Sequence, residues 1–404
     1  MKQDWEINDL GEVTEIINGG TPKTNISEYW DGDIRWITPA DLGKLTKPTV
    51  DETTRKITFL GLEKSSAKLF PENSVILSTR APIGHLAINK VPMSTNQGCR
   101  GIVPGKKLDP WFLYYFLKKN VSYLDSLGTG ATFKELSTKA LSGVKISYPS
   151  IYDQQKIVSI IDQSFTAISK AKSNAEQNLK NAKELFESYL KNVFSDKIAG
   201  NKFETLLDLC ELAVDCEHKT APIQENGYPS IRTPNIGKGY LILENVNRVS
   251  EQTYNEWTKR ALPQANDLIL AREAPAGNIA VIPENLKVCL GQRTVLIRPK
   301  KNKLVSKFLA YLMLSSDVQK QLLSYSTGAT VQHINMKDIR AFKIYNLSTL
   351  QEQYTIVRKL DDLSTEIKKL EEIYKKKTED LEELKKSILQ KAFCGELTEK
   401  EVVL

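Results

Sequence analysis

The chain has 404 residues, room for two domains of ordinary size rather than one. Lys and Arg number 56 against 49 Asp and Glu, so the net charge of +7 permits a polyanionic partner without demanding one. Five scattered cysteines (Cys99, Cys210, Cys216, Cys289 and Cys394) suit a reducing interior rather than a disulfide scaffold, and with no apolar stretch of signal or membrane type the expectation is a cytoplasmic protein.

In chain order, residues 1–149 read as a first globular part of mixed α+β character. VILST from Val75 and HLAI from His85 predict strands joined by tight turns, and WFLYYFLKKN from Trp111 predicts a buried helix. Thr129 and Gly130 open a TGAT segment whose glycine suits a turn with positive φ. Residues 150–196 predict a long helix with apolar positions stepping by four and three: Ile157, Ile161, Ser164, Ile168, Ala171, Ala175, Asn178, Ala182, Leu185 and Tyr189. Residues 197–202 are a linker.

The second globular part, 203–348, has strand-like runs LILAR from Leu268, NIAVI from Asn278 and TVLIR from Thr294. A helix follows from Ser306, and a second TGAT segment holds Thr327 and Gly328. Residues 349–395 predict another long helix, with a seam of Leu360, Leu363, Ile367, Leu370, Tyr374, Lys377, Leu381, Leu384 and Ile388, ahead of a tail, 396–404. Polar Asn178 and Lys377 fall at matching seam positions, where such residues fix pairing and register. The small side chains of the first seam suit the larger ones of the second, so the helices are expected to pair antiparallel as a coiled coil. Each would be about 65 Å long at 1.5 Å per residue.

The two halves repeat one another. Ala81, Pro82 and Gly84 fall on Ala274, Pro275 and Gly277 at an offset of 193, and the TGAT segments match at 198. Gln154 of QQKIV answers Gln353 of EQYTIV, and Phe194 falls on Phe393, both at an offset of 199. Asn96-Gln97-Gly98-Cys99-Arg100 has a rough counterpart in Leu290-Gly291-Gln292-Arg293. A repeat of about 200 residues is a domain duplication with pseudo-twofold character, not a solenoid.

Catalytic patterns are wanting. The chain has no GxxxxGK[ST] loop, HExxH, EF-hand or GxSxG, and Asp109-Pro110-Trp111 has only one of the two prolines of an adenine-methyltransferase motif. Cys210, Cys216 and His218 lie close together but in no zinc spacing, so buried thiols beside a surface histidine are expected and no metal. His85 has Asn278 at its matching place, which speaks against a catalytic role, and Gly237-Lys238-Gly239 reads as a small basic turn.

The duplicated order resembles the specificity subunit of type I restriction-modification systems. The residues that carry it are Thr129-Gly130, Pro149 with Asp153-Gln154-Gln155, Thr327-Gly328 with Gln351-Glu352-Gln353, and the closing runs KELFESYLKNVF from Lys183 and EELKKSILQKAFCGEL from Glu382. The resemblance implies two target recognition domains, each reading half of a split, asymmetric double-stranded DNA target, held apart by the helices. It implies docking of two methyltransferase subunits for adenine methylation, with motor-nuclease subunits completing the restriction enzyme. It also implies no catalytic site or cofactor in this chain, S-adenosylmethionine, ATP and Mg belonging to the partners, and no membrane.

Phosphate contacts position and base contacts specify. Candidates for either are Arg80, Arg100, Lys134, Arg232, Arg272, Arg293 and Gln332, beside strand ends or the TGAT segments; ordinary surface or structural pairing is the plainer role for any one. Asn96-Gln97 and Gly291-Gln292 could offer amides to adenine, or simply cap turns. The competing functions are a stand-alone DNA-binding or scaffolding protein, and a nuclease with a fused recognition module.

Overall fold

The computed structural model describes residues 5–80, 82–130, 134–273, 276–324 and 333–397. Its packing divides into two units, with boundaries between Ala175 and Glu176 on one long helix and between Lys375 and Lys376 on the other. Each unit is thus a globular head with part of both long helices.

In the first unit, Glu6–Asp9 pairs antiparallel with Lys145–Tyr148, closing the head where it meets the helix. A five-stranded sheet runs in the order Thr14–Asn18, Cys99–Pro104, Val75–Thr79, Ile83–Asn89 and Thr49–Val50. Every residue of Val75–Thr79 is buried, this central strand packing Val75 and Leu77 into one core and Ile76 into another. A three-stranded sheet of Arg55–Ile57, Trp30–Ile37 and Met93–Thr95 completes the head.

The helix Pro110–Lys119 starts where Pro110 and the N-cap Asp109, accepting from the Trp111 and Phe112 amides, favour it. It buries Phe112, Leu113, Phe116 and Leu117 in one core with Val75, Leu77, Ile88 and Ile102 of the sheet and Ile157 and Ile161 of the long helix. Fully burying one such side chain contributes about 1.5–3 kcal/mol, so this shared core ties head to helix.

The second unit repeats the plan. Phe203–Thr205 pairs with Lys343–Tyr345. A four-stranded sheet follows the order Cys210–Asp215, Thr294–Pro299, Leu268–Ala271 and Ile279–Val281. Arg248–Val249, Tyr228–Ile231 and Cys289–Leu290 form the smaller sheet. Helix Ser306–Leu314 puts Phe308, Leu309 and Leu312 in a core with Leu268, Leu270, Phe194 and Leu360.

The long helices run Ile151–Phe194 and Leu350–Phe393. Each begins with a reciprocal cap: Ser150 with Asp153, and Thr349 with Glu352. One turn in, Gln154 is fully buried; its amide nitrogen donates to the Lys107 and Pro149 carbonyls and its oxygen accepts from the Asp109 amide. Gln353 makes the same three bonds, to the Lys303 and Ser348 carbonyls and from the Val305 amide. The glutamines of the two motifs therefore bolt each helix to its head.

The helices pair antiparallel within each unit. In the first, Lys385 lies beside the Phe165 ring, while further along the first helix Lys172 meets Glu382, earlier on the second. In the second unit Lys183 meets Glu371 at 2.6 Å.

The seam departs from the heptad expectation at its middle. Ile157, Ile161, Ser164, Ile168 and Ala175 are buried as expected, and Leu360, Ile367, Leu370, Leu381, Leu384 and Ile388 are at least half-buried. Asn178 and Lys377, however, are exposed, and Leu185 is 69% exposed, with Leu179 and Phe186 turned inward instead. Seven residues of a straight helix fall about 20° short of two full turns. After three heptads the contacting face has swung by about 60°, enough for the residue one place on, Leu179 or Phe186, to meet it better than Asn178 or Leu185.

Candidate nucleic-acid interface

In the first unit the buried strand Val75–Thr79 ends at Arg80, where the chain turns back with Gly84 at φ 109°. The Ser78 hydroxyl holds this turn, donating to the Pro82 carbonyl and accepting from the His85 amide. Across from it the Leu136 amide donates to the Thr79 carbonyl at 2.9 Å, and Thr129 and Glu135 exchange main-chain bonds. Those bonds close the base of the TGAT arm. Gly130 has φ 127°, as its turn requires; Ala131, Thr132 and Phe133 lie outside the described residues.

Glu135 at the base of this arm faces two arginines, Arg80 at 3.8 Å and Arg100 at 3.5 Å. Arg100 is only 8% exposed; its Nη1 donates to the Gln97 and Cys99 carbonyls and its Nε to the Thr138 hydroxyl. Burial holds this guanidinium below its ordinary range, against the pull of Glu135. Lys134 is paired with Asp125 at 2.6 Å. Asn96 caps a turn by accepting from the Gly98 amide, and Gln97 accepts from the Thr21 hydroxyl.

The second unit builds the same corner with different charges. The Ile334 amide donates to the Arg272 carbonyl at 3.0 Å, as Leu136 does to Thr79. Arg272 is 6% exposed; its Nε donates to the Ile334 carbonyl, its Nη2 to His333 Nε2 at 2.8 Å, and its Nη1 lies 3.6 Å from Asp215. Because a guanidinium can only donate, His333 Nε2 is the acceptor and the ring proton sits on Nδ1. That proton is donated to Glu273 at 3.0 Å, and Glu273 also pairs with Arg293 at 3.2 Å.

Strand register corrects the sequence match at this corner. Ser78 faces Cys99, whereas Ala271 faces Thr294, so Arg293 occupies the place of Gly98 and not that of Arg100. Arg293 takes φ 66° there. Arg232 is exposed, its stem lying over Gly291, where any side chain would strike it. Thr327, Gly328 and Gln332 lie outside the described residues.

Of the expected contacts, the structure thus gathers Arg80 and Arg100 at one corner, and Arg272 and Arg293 at the other. Arg100 and Arg272 point inward on main-chain carbonyls, while Arg80, Arg232 and Arg293 reach the surface. Sequence reasoning passed over Glu135 and Glu273, which organise both corners. The signal available was the exchange of Arg80 for Glu273 at matching positions. Cys210 and Cys216 are buried thiols, burial pushing Cys210 up to about 12, and His218 is exposed beside Asp215. Among the described residues no group of three His, Cys, Asp or Glu side chains could hold a metal, and no helix is long and apolar enough to cross a membrane.

Comparison with known proteins places this geometry. The family described as "Type I restriction modification DNA specificity domain" matches residues 2–178 and again 200–379. The specificity subunit of type I restriction enzyme MjaIX from Methanocaldococcus jannaschii is 39% identical over 47% of this chain and 44% of its own length. That of EcoR124I/EcoR124II from Escherichia coli is 30% identical over 46% of this chain and 47% of its own. The chain spans about half the length of each of these two. The MjaVIII specificity subunit from M. jannaschii is 23% identical over 98% of this chain and 94% of its own length. Among solved structures, a chain from work on complex assembly and conformational transition of the type I R-M system superposes with a TM-score of 0.75 at 20% identity, covering 98% of this chain and 99% of that one. The HsdS subunit from Thermoanaerobacter tengcongensis gives 0.63 at 19% identity, covering 98% of each. At these identities the structural likeness is one of fold.

Proposed function

We infer the function from one premise: this chain belongs to the type I restriction modification DNA specificity family, whose domain it carries twice. It is the subunit that reads DNA for a modification and restriction assembly. Each head reads one half of a split target on double-stranded DNA.

The observation that carries this reading is a repeated frame with unlike rims. Gln154 and Gln353 anchor the two heads identically, and the Leu136–Thr79 bond recurs as Ile334–Arg272. Yet the side chains around that bond differ in charge: Arg80 and Glu135 in one unit, Glu273 and His333 in the other. Base edges are distinguished by the donors and acceptors presented to them. Two heads of one build with different donors at the rim suit two different half-sites.

The chain itself contributes recognition and no catalytic step. The long helices are unbroken elements shared by both units, and they set the separation of the half-sites and offer docking faces for two methyltransferase subunits. Motor-nuclease subunits would join that core, with S-adenosylmethionine, ATP and Mg bound by the partners, in the cytoplasm. Mapping methylated bases across the host genome with and without this gene tests the reading. Loss of methylation at one split, asymmetric sequence is expected; an unchanged methylation map would overturn it.

A further inference from the structure

Each unit carries a cleft between its head and the long helices, in corresponding places. The floor is the same in both: a head tyrosine bonded to a helix aspartate, Tyr115 to Asp162 and Tyr311 to Asp361. The first cleft, of about 720 Å³, is rimmed by Lys47, Lys118 and Lys385. The second, of about 470 Å³, is rimmed by Lys238, Lys307 and Lys368. In both cases one lysine comes from a head loop, one from the head helix and one from the second long helix. We propose, on the reading of the chain as a DNA-recognition subunit, that these two clefts hold the phosphodiester backbone of the bound duplex.

Asp162 is the one carboxylate lining the first cleft among the described residues, and it is engaged by Tyr115. The second has Asp361, which accepts from both Tyr311 and Lys307, and Glu187. Lysines therefore outnumber carboxylates in each. In the first unit the Lys118 and Lys385 ammoniums lie 5.9 and 6.0 Å from the centre of the same Phe165 ring, and Lys385 also pairs with Glu382 at 3.4 Å. Burial, then the like charge of Lys385, holds Lys118 below its ordinary range, against the pull of Glu382. Like charges in a half-buried cleft repel, and a bound anion relieves that cost.

The lysines of the second long helix, moreover, are not inherited place for place. On the 199-residue offset set by the anchoring glutamines, Lys368 matches Ser169, and Lys385 matches Phe186; all four line these clefts. The tyrosine–aspartate floor is common to the two units, while the basic rim is supplied from different positions. A requirement for positive charge at that place accounts for this better than a shared ancestor does.

Among the described residues neither lining contains an arginine. Lysine ammoniums are compact, rotatable point charges on flexible stems, which suits a phosphate chain that demands no fixed bidentate geometry, and phosphate contacts carry no sequence information. The clefts thus position the duplex and the strand-end corners face its bases. Lys238, in a Gly-Lys-Gly turn where Gly239 has φ 92°, acquires a role here.

The test uses the full chain carrying Lys118→Gln with Lys385→Gln, or Lys238→Gln with Lys368→Gln. Binding to a long random-sequence duplex is followed across a salt series, with thermal melting as a check on folding. Each lysine that contacts phosphate should reduce the slope of log affinity against log salt by about 0.9, with equal loss on random and target duplexes. The corresponding lysine-to-arginine variants should keep the slope. A slope unchanged while the chain still binds duplex overturns the clefts and leaves the function standing. So does a loss confined to association with methyltransferase subunits, which would make the clefts a protein-docking surface. Failure of the unaltered chain to bind any duplex sinks the functional reading itself, and the clefts with it.

Discussion

Glu273 stands in the second unit where Arg80 stands in the first, and the residue facing each is exchanged in step, His333 for Glu135. In one unit the arginine on the strand end reaches a carboxylate on the arm; in the other the carboxylate is on the strand end and the arm offers an imidazole. The main-chain bond beneath them is the same. The pair has changed sense while the frame stayed still.

This exchange predicts a specific recovery. Arg80→Glu alone sets two carboxylates against each other and should destabilise the first unit by about 1 kcal/mol, since the pair is partly exposed. Adding Glu135→His recreates the arrangement of the second unit and should restore most of that loss. A thermal-melting double-mutant cycle measures the coupling; independent, additive effects would show that the two side chains do not interact.

The anchoring glutamines should be far less tolerant. Replacing Gln154 or Gln353 with Ala leaves two carbonyls and one amide unpaired in a dry site. A cost of about 2–3 kcal/mol is expected, because an unsatisfied buried group loses its full solvation. Gln154→Glu should be worse near neutral pH, since it sets a carboxylate against two carbonyl oxygens. Hydrogen exchange of the amides at the start of each helix would report the local loosening; protection equal to that of the unaltered chain would refute it.

The seam makes a contrast between two leucine-sized positions on one helix. Ile168 is 2% exposed, so Ile168→Ala should cost about 2–4 kcal/mol. Leu185, although at a heptad position, faces solvent, so Leu185→Ala should change stability by no more than about 0.5 kcal/mol. Equal losses in chemical denaturation would restore the strict heptad seam.

Alkaline stability follows from the tyrosines. Burial raises Tyr114 from 10.0 to about 12; it raises Tyr115 and Tyr311 further, with Asp162 and Asp361 adding to the effect. A folded-state value above the unfolded one gives stability that is whole below pH 10 and lost as pH rises toward the folded value. Buried Cys210, raised from 9.0 to about 12, acts in the same direction from a lower pH. Melting temperature should therefore begin to fall near pH 9 and fall faster above 10. Tyr115→Phe and Tyr311→Phe should each flatten the upper part of that decline; an identical decline in both variants would assign it elsewhere.

Helix length offers a test of spacing. One heptad inserted after Ala175 and another after Lys375 adds about 10 Å of axis at 1.5 Å per residue, close to three base pairs at 3.4 Å each. The methylated half-sites should then lie about three base pairs further apart and keep their sequences. Unaltered spacing would show that the helices do not set it.

What the sequence determined alone is whatever depends on neighbours along the chain. The duplication, the strand and helix runs, the two long helices and their antiparallel pairing were legible because apolar periodicity and repeated motifs survive being read one residue at a time. The Gln154 and Gln353 motifs were visible as markers of family, though their work as anchors was not. Tertiary structure decided the rest, for a physical reason: Arg80 with Glu135, Arg272 with Asp215, and Tyr115 with Asp162 are each brought together across more than 40 residues by the ladders and cores of the heads. The same holds for the two-residue shift that separates Arg293 from Arg100, set by strand register, and for Leu185, turned outward by a drift too slow for any one heptad to reveal.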